Sequence, residues 1–500
     1  MRARTVSLRE YPASVQSMSD PPNILFVLTD QQRGDAVGVD PDSERDANDD
    51  PILHTPNINE LANDGALFRR AYTPVPSSMP ARRCLITGQT PATNGAPGWV
   101  SGPWNFRHTL PGTLRDHGYQ THVIGKYDAQ PPRKHCGFEG VELQYALGTT
   151  DADVVEYDEY LRETVGTSEW TAAGVDVNSW DARPFHLAER HHPTTWTTDR
   201  AIAFIERQDP TRPFFLQLAY YFPHRPFTPS EPYWNQYLHR DLEQPARGAW
   251  SEALYGNALP KAAPTKAWRY DLSEREHHRA KVGYYGSITQ IDQQLNRVLE
   301  LLRQRGQLEN TLIIFSSDHG EMLGDHYLGR KTYPFEGSAR VPLIVRYPDG
   351  SPHPRGMVID QPVGLEDIMP TVLEQAQIDI PETVDGTSLL RVIDGDATDP
   401  TYYHGEHSPI YDEENAWQFL VNERFKYVWN PVTGQELFFD LRSDPRETQD
   451  LSKDEAHKED VTRFRVALID HLRERDEQFT DGSSLLACKR ESPIPHPVRE

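Results

Sequence analysis

Cysteine is nearly absent from this chain of 500 residues, which holds only Cys84, Cys136 and Cys488. An odd and widely scattered set excludes a disulfide framework and lacks the spacing of a cysteine metal site. No apolar run approaches the eighteen or so residues that a membrane-spanning helix needs, so no membrane partner is expected. Positive charge is also in deficit, with 51 Lys and Arg against 75 Asp and Glu and a formal net charge of −24. That field repels phosphate, which argues against nucleic acid and anionic surfaces as partners. Lysine is scarce beside arginine, and Asp40 to Asp50 is strongly acidic; a salt-adapted organism and a GC-rich genome account for this equally well. No apolar core precedes the first strand, so no secretory signal is expected and the cytoplasm is the default location. Met18 can serve as an alternative start, leaving residues 1–17 as a tail without a role in the fold. No internal repeat is visible.

What is present fits a soluble globular protein, with 37% hydrophobic and 25% charged residues. Five hundred residues exceed what one core serves, so a large domain with a smaller companion is expected. The apolar runs Asn23 to Thr29, Thr121 to Ile124, Phe214 to Ala219 and Thr311 to Ser317 read as buried parallel strands. Helical spacing marks Thr197 to Arg207 and Lys281 to Arg303. Past Asp394 the pattern changes to short strands, Tyr402 to His407, Trp417 to Val421, Phe425 to Trp429 and Glu436 to Leu441, as in an antiparallel sheet. A helix from about Glu459 to Arg475 follows.

Open α/β sheets carry chemistry just past the carboxyl ends of their strands. Asp30 and Gln31, Lys126, His224, and Asp318 with His319 all stand at such ends, and Lys331 follows the last pair. Taken singly, an Asp after a strand is more often a turn residue. His224 sits between Pro223 and Pro226, which fixes its backbone and suits acid/base work near neutral pH; by itself it reads equally well as structural. Asp30, Gln31, Asp318 and His319 together offer two carboxylates, an amide oxygen and an imidazole. Such a set suits a hard divalent cation, Ca²⁺ or Mg²⁺ first, with Mn²⁺ admitted by the nitrogen. Residues 130–200 read as long loops on the active face. In and beyond them, Trp170, Trp180, Trp196, Trp234 and Trp250 are candidates for stacking on sugar rings, and His186, His191 and His192 for touching substrate. Packing is expected for most of these.

The chain is organised around Ser78-Met79-Pro80-Ala81-Arg82, which runs on into Leu85-Ile86-Thr87-Gly88. Proline sets φ for a first helical turn, and a helix start offers unpaired N–H groups to an anion, so this reads as a nucleophile at a helix N-terminus. Ser78, Pro80, Arg82, Leu85, Thr87 and Gly88 resemble the signature of the type I sulfatases of the alkaline phosphatase superfamily. So do Thr55-Pro56-Asn57, Gly125-Lys126, Pro223-His224-Arg225-Pro226-Phe227 and the run from Asp318 to Arg340. The resemblance spans roughly residues 23–475.

It implies an alkaline-phosphatase-like α/β sandwich, a mostly parallel sheet between helices, with a smaller C-terminal antiparallel α+β subdomain. The expected division is an extension at 1–22, a catalytic domain at 23–394, and a subdomain at 395–500 with a four-stranded sheet, helix and tail. The activity implied is hydrolysis of sulfate esters of carbohydrate or aryl alcohols. Ser78 is then oxidised by a maturation enzyme to formylglycine, whose hydrate attacks sulfur and releases sulfate by regenerating the aldehyde. Asp30, Gln31, Asp318 and His319 match the family's metal ligands. Arg82, Lys126 and Lys331 supply positive charge, and His224 protonates the leaving oxygen. Asp128 stands where the family has a histidine, and its charge is expected to weaken binding of an anionic ester. Two alternatives remain open: an unmodified Ser78 acting on phosphate or phosphonate esters with the same metal site, and a weakly active sulfatase-like protein. The oligomeric state is not fixed by the sequence.

Overall fold

The computed structural model describes residues 21–99, 102–146, 154–171, 175–257, 259, 266–395 and 402–488. Nearly all of the expected N-terminal extension and the end of the C-terminal tail lie outside these residues.

The strands, in chain order, are β1 (Asn23–Asp30), β2 (Ala66–Phe68), β3 (Ala71–Tyr72), β4 (Gln120–Lys126), β5 (Gly140–Tyr145), β6 (Phe214–Pro223), β7 (Thr311–Ser317), β8 (Leu343–Arg346), β9 (Met357–Ile359), β10 (Val363–Gly364), β11 (Tyr403–His407), β12 (Trp417–Val421), β13 (Phe425–Trp429) and β14 (Glu436–Asp440). Eight of them form one sheet in the order β5-β4-β6-β1-β7-β8-β2-β9. The first five run parallel to one another. β8 is antiparallel to both β7 and β2, and β9 is parallel to β2. β3 and β10 form a small parallel pair of their own.

β1 explains why the central strands are continuously apolar. Ile24, Phe26 and Leu28 point into one core and Leu25 and Val27 into the other, all at 0% exposure. Both faces are covered, so an alternating polar pattern would bury polar groups on one side. The first core is closed by helices Ser78–Thr87, Leu110–Asp116 and Ile368–Gln375, and the second by Pro56–Asn63, Pro193–Arg207 and Glu274–Gln304. The long helix begins seven residues before the expected Lys281, because Ser273 and Glu276 form a capping box ahead of a polar first turn. The Pro193–Arg207 helix also starts earlier than expected, capped by His192, whose ring nitrogen accepts from Thr194 N–H at 3.1 Å.

β11 to β14 make the expected antiparallel sheet in sequential order. One face packs on helix Lys458–Leu472 through Phe425, Tyr427, Phe438, Phe464 and Leu468. The other packs on the main domain, where Phe419, Val428 and Phe439 meet Tyr72, Met322, Tyr333 and Phe335.

The aromatic loop residues mostly serve packing. Trp170, Trp196, Trp234 and Trp250 are buried, Trp180 is half-buried, and His191 and His192 are buried. Of the histidines named as substrate contacts only His186 is exposed.

Candidate active site

The sheet order decides which distant residues meet. β4, β6, β1 and β7 are adjacent and parallel, so their carboxyl ends lie side by side and bring together Lys126, His224, Asp30 and Asp318. Helix Ser78–Thr87 starts over these ends with Ser78 as its first residue. Arg82, four residues on, lies on the same helix face. The helix stops at Gly88, whose φ of +65° and tight approach to Val384 suit a residue without a Cβ.

Arg82 ties the site together. It is 3% exposed, its Nε donates to Asp318 Oδ2 at 3.0 Å, its Nη2 to Asp30 Oδ2 at 3.0 Å, and its Nη1 to the Lys126 carbonyl at 2.7 Å. Lys126 Nζ lies 2.6 Å from Asp30 Oδ2 and 3.4 Å from Asp128 Oδ2. Lys331 Nζ donates to Gln31 Oε1 at 2.9 Å and to His224 Nε2 at 3.0 Å. All nine residues singled out from the sequence therefore converge on one buried centre, with Ser78 Oγ 2.9 Å from His319 Nε2. Asp128 adopts a positive φ of 58° and turns its carboxylate to Lys126.

Burial shapes the protonation states. It pushes the His319 and His224 imidazoles well below their ordinary value, helped by Lys331, so both are neutral. His319 Nδ1–H donates to the Gly320 carbonyl at 2.9 Å and His224 Nδ1–H to the Arg225 carbonyl at 2.7 Å, leaving each Nε2 lone pair facing inward. Burial also lowers Lys331 to about 8. Against the opposing effect of burial, the Lys126 and Arg82 charges hold Asp30 well below the usual carboxylate range. Burial and the neighbouring Asp30 charge push Asp318 up to about 7.

Asp30, Asp318 and His319 bring ligand atoms within 4.8 Å of one another. Asp30 Oδ1 is buried without a hydrogen-bond partner among the described residues. Two crowded carboxylates, an orphaned acceptor and an inward imidazole lone pair form a candidate metal site, because a cation satisfies all three at once. Gln31 is adjacent to it and adopts a φ of 72°. Its amide nitrogen donates to Glu321 Oε2 and its carbonyl oxygen faces Lys331.

Several supporting residues escaped the sequence reading. Arg225 and Glu321, both at 0% exposure, form a two-pronged pair, Nε to Oε2 at 2.9 Å and Nη2 to Oε1 at 2.7 Å. The Lys331 loop is clamped from the C-terminal sheet. Asn415 donates to Thr332 Oγ1 at 2.9 Å, and Lys426 Nζ reaches the Pro334 carbonyl at 2.9 Å and Glu336 Oε1 at 2.5 Å. Thr332 itself has a φ of 86°, strained for a β-branched residue, and donates its N–H to the Pro76 carbonyl at 2.8 Å. The only signal in sequence was the position of Arg225 and Glu321 beside residues already singled out.

Residues 22–378 match the family model described as Sulfatase, and residues 324–475 that of the N-sulphoglucosamine sulphohydrolase C-terminal region. The chain belongs to the sulfatase family. An arylsulfatase of Clostridium perfringens is 36% identical, the alignment covering 95% of this chain and 99% of that protein. The multifunctional alkaline phosphatase superfamily protein PehA of Trinickia caryophylli is 31% identical, over 87% of this chain and 92% of its own. The crystal structure of the phosphonate monoester hydrolase of Agrobacterium radiobacter superposes with a TM-score of 0.74 at 24% identity, covering 95% of this chain and all of that one, which establishes the shared fold. As a sulfatase the protein is a hydrolase of sulfate esters.

Proposed function

We propose that this sulfatase cleaves the sulfate ester of a carbohydrate or aryl alcohol through a formylglycine made from Ser78. In this reading Asp30, Gln31, Asp318 and His319 hold a divalent cation, Ca²⁺ first and Mg²⁺ or Mn²⁺ as substitutes. The observation that carries it is the placement of Ser78 at a helix N-terminus, 2.9 Å from His319 and within one cluster with Arg82, Lys126, His224 and Lys331. When bound, the cation neutralises ester oxygens and favours the ionised form of the attacking hydroxyl. Conversion of Ser78 by a maturation enzyme supplies a hydrated aldehyde, whose second hydroxyl releases sulfate as the aldehyde re-forms, its proton passing to the Lys331–His224 pair after that pair has given its own to the leaving oxygen.

The chain's own residues do the rest. Lys126 and Lys331 direct N–H groups toward the sulfate, and the helix N-terminus adds its field. Arg82 fixes the carboxylates of Asp30 and Asp318, two of the residues that would hold the cation. The proton for the leaving oxygen belongs to the Lys331–His224 pair, and it rests on Lys331 because burial keeps His224 neutral. The carbohydrate preference has its support in the sulphohydrolase family model that matches the C-terminal region.

A second reading draws on the Ser78–His319 hydrogen bond, which offers an unmodified serine a base for attack on phosphate or phosphonate esters. In it His319 Nε2 takes the serine proton and the cation is left to Asp30, Gln31 and Asp318, so both readings use the same metal site and differ in the ester preferred. Aryl sulfate, phosphate and phosphonate esters, assayed before and after chelation and readdition of Ca²⁺, separate them. Sulfate preference that is lost on chelation supports the first reading. Phosphate or phosphonate preference overturns it.

A further inference from the structure

Four of the five stacking candidates are buried and Trp180 is half-buried, and the exposed tryptophan among the described residues is one the sequence did not single out. Trp99 is 49% exposed, the one aromatic among the exposed large apolar side chains of the described residues. It is nonetheless fixed. Its indole Nε1–H donates to Ser77 Oγ at 2.9 Å, and the preceding backbone is pinned from the C-terminal subdomain by Ser408 N–H on the Pro97 carbonyl at 2.7 Å. Gly98 lies so close to Ser408 that an added Cβ would stand 2.8 Å from the serine Cβ.

The partner of the indole matters most. Ser77 is the N-cap of the helix that begins at Ser78, and an N-cap serine ordinarily bonds the helix's own free N–H groups. Here it makes no such cap bond, and its fully buried hydroxyl serves Trp99 instead. The flanking Pro76 carbonyl binds Thr332 N–H, so the segment that carries Trp99's anchor also touches the Lys331 loop. A fixed, half-exposed indole is thus bonded to the residue that immediately precedes the nucleophile position.

We propose that Trp99 is the platform on which the ring bearing the scissile sulfate stacks, so that the enzyme selects esters of ring alcohols, arenes or pyranoses, over acyclic alkyl sulfates. The proposal rests on the sulfate-ester reading above. A flat, preordered indole offers apolar area at little entropic cost and matches an arene or the C–H face of a sugar. Its position beside Ser77 directs selection to the ring attached to the sulfate, and not to a distant part of the substrate.

The test compares wild type, Trp99→Ala and Trp99→Phe, after equal conversion of Ser78 is verified by peptide mass. The substrates are 4-nitrophenyl sulfate, a monosaccharide 6-sulfate and n-butyl sulfate. Trp99→Ala should lower the ring-to-alkyl ratio of kcat/KM by about tenfold or more, mainly through KM, and Trp99→Phe should restore most of it. A loss on one ring type alone identifies that ring as the preferred alcohol and also supports the proposal. Equal losses on ring and alkyl esters, or a Phe variant no better than Ala, would overturn it, since the indole would then act only as a strut for Ser77. Should the wild type cleave phosphonates and no sulfates, the substrate reading fails, and the same ratio on aryl and alkyl phosphonates still decides Trp99. Should it cleave neither, binding of 4-nitrophenyl sulfate to Ser78→Ala, with and without Trp99→Ala, decides it: an unchanged Kd refutes the platform and a tenfold weaker one upholds it.

Discussion

Glu321→Ala tests whether the site is held up by its buried charge pairs. Glu321 accepts from Arg225 Nε and Nη2, from the Leu323 and Arg330 backbone N–H groups at 2.9 and 2.6 Å, and from the Gln31 amide. Removing the carboxylate leaves the Arg225 guanidinium at 0% exposure with Tyr270 Oη, 2.8 Å away, as its remaining hydrogen-bond partner among the described residues. Breaking such a buried pair costs about 3–5 kcal/mol, and the two stranded backbone donors bring the total to about 5 kcal/mol or more. An unfolding entropy of about 2 cal/mol/K per residue gives about 1 kcal/mol per kelvin for a chain of this size, so Tm should fall by about 5 °C. Freeing the Gln31 amide should also weaken divalent cation binding by about tenfold or more. Calorimetry supplies both numbers, Tm from scanning and Kd from titration of the chelated protein. Arg225→Met with Glu321→Leu, which removes both charges, should recover most of the Tm because no buried charge is left alone. A single variant within 1 °C of wild type, or a double variant as unstable as the sum of its parts, would refute the reasoning.

Asp318→Ala should abolish turnover and the rise in Tm on adding Ca²⁺, a rise worth about 2.7 kcal/mol for wild type at a hundred times Kd; retention of that rise would remove Asp318 from the cation site. Asp128→His should raise sulfatase kcat/KM by about tenfold, since one anion leaves the pocket while Lys126 stays fixed by Asp30 at 2.6 Å; a large fall would give Asp128 its own role in holding Lys126. Stability should decline as pH falls below about 6.5, because the unfolded chain then takes up histidine protons that buried histidines refuse. Burial holds His192 down to about 3, and His326 and His407 to about 4. Their contribution is therefore complete above the unfolded value and lost on acidification. His192→Asn, which can still cap its helix, should flatten the slope between pH 4 and 6 by at most about 1.4 kcal/mol per pH unit; an unchanged slope would count against a neutral His192.

Much of this architecture was legible because parallel strands buried on both faces leave long apolar runs, and the polar residues that end them are conspicuous. Asp30, Lys126, His224 and Asp318 could be found that way. What brings them together could not, since the order β4-β6-β1-β7 is a property of the sheet and not of any local pattern. β2 and the edge strand β9 are only three residues long and carry too little pattern to read. Trp170, Trp196, Trp234 and Trp250 pack, as was expected for most of these aromatics, but nothing local in the sequence marks which tryptophan stays exposed. Trp99 is distinguished only by its bond to Ser77, 22 residues away in the chain. Arg225 with Glu321 and Asn415 with Thr332 owe their roles to partners 96 and 83 residues distant. The sign of each charge was visible, and the pairing was not.

The central claim is that activity belongs to a converted Ser78. Peptide mass spectrometry of several preparations, made with and without a coexpressed maturation enzyme, gives the fraction of Ser78 that has lost two hydrogens, and the same preparations give turnover of 4-nitrophenyl sulfate. The account predicts that turnover is proportional to that fraction and extrapolates to near zero for unmodified protein that is otherwise folded. High sulfatase turnover from protein whose Ser78 is wholly unmodified would contradict it and leave the serine hydroxyl, with His319 beside it, as the nucleophile.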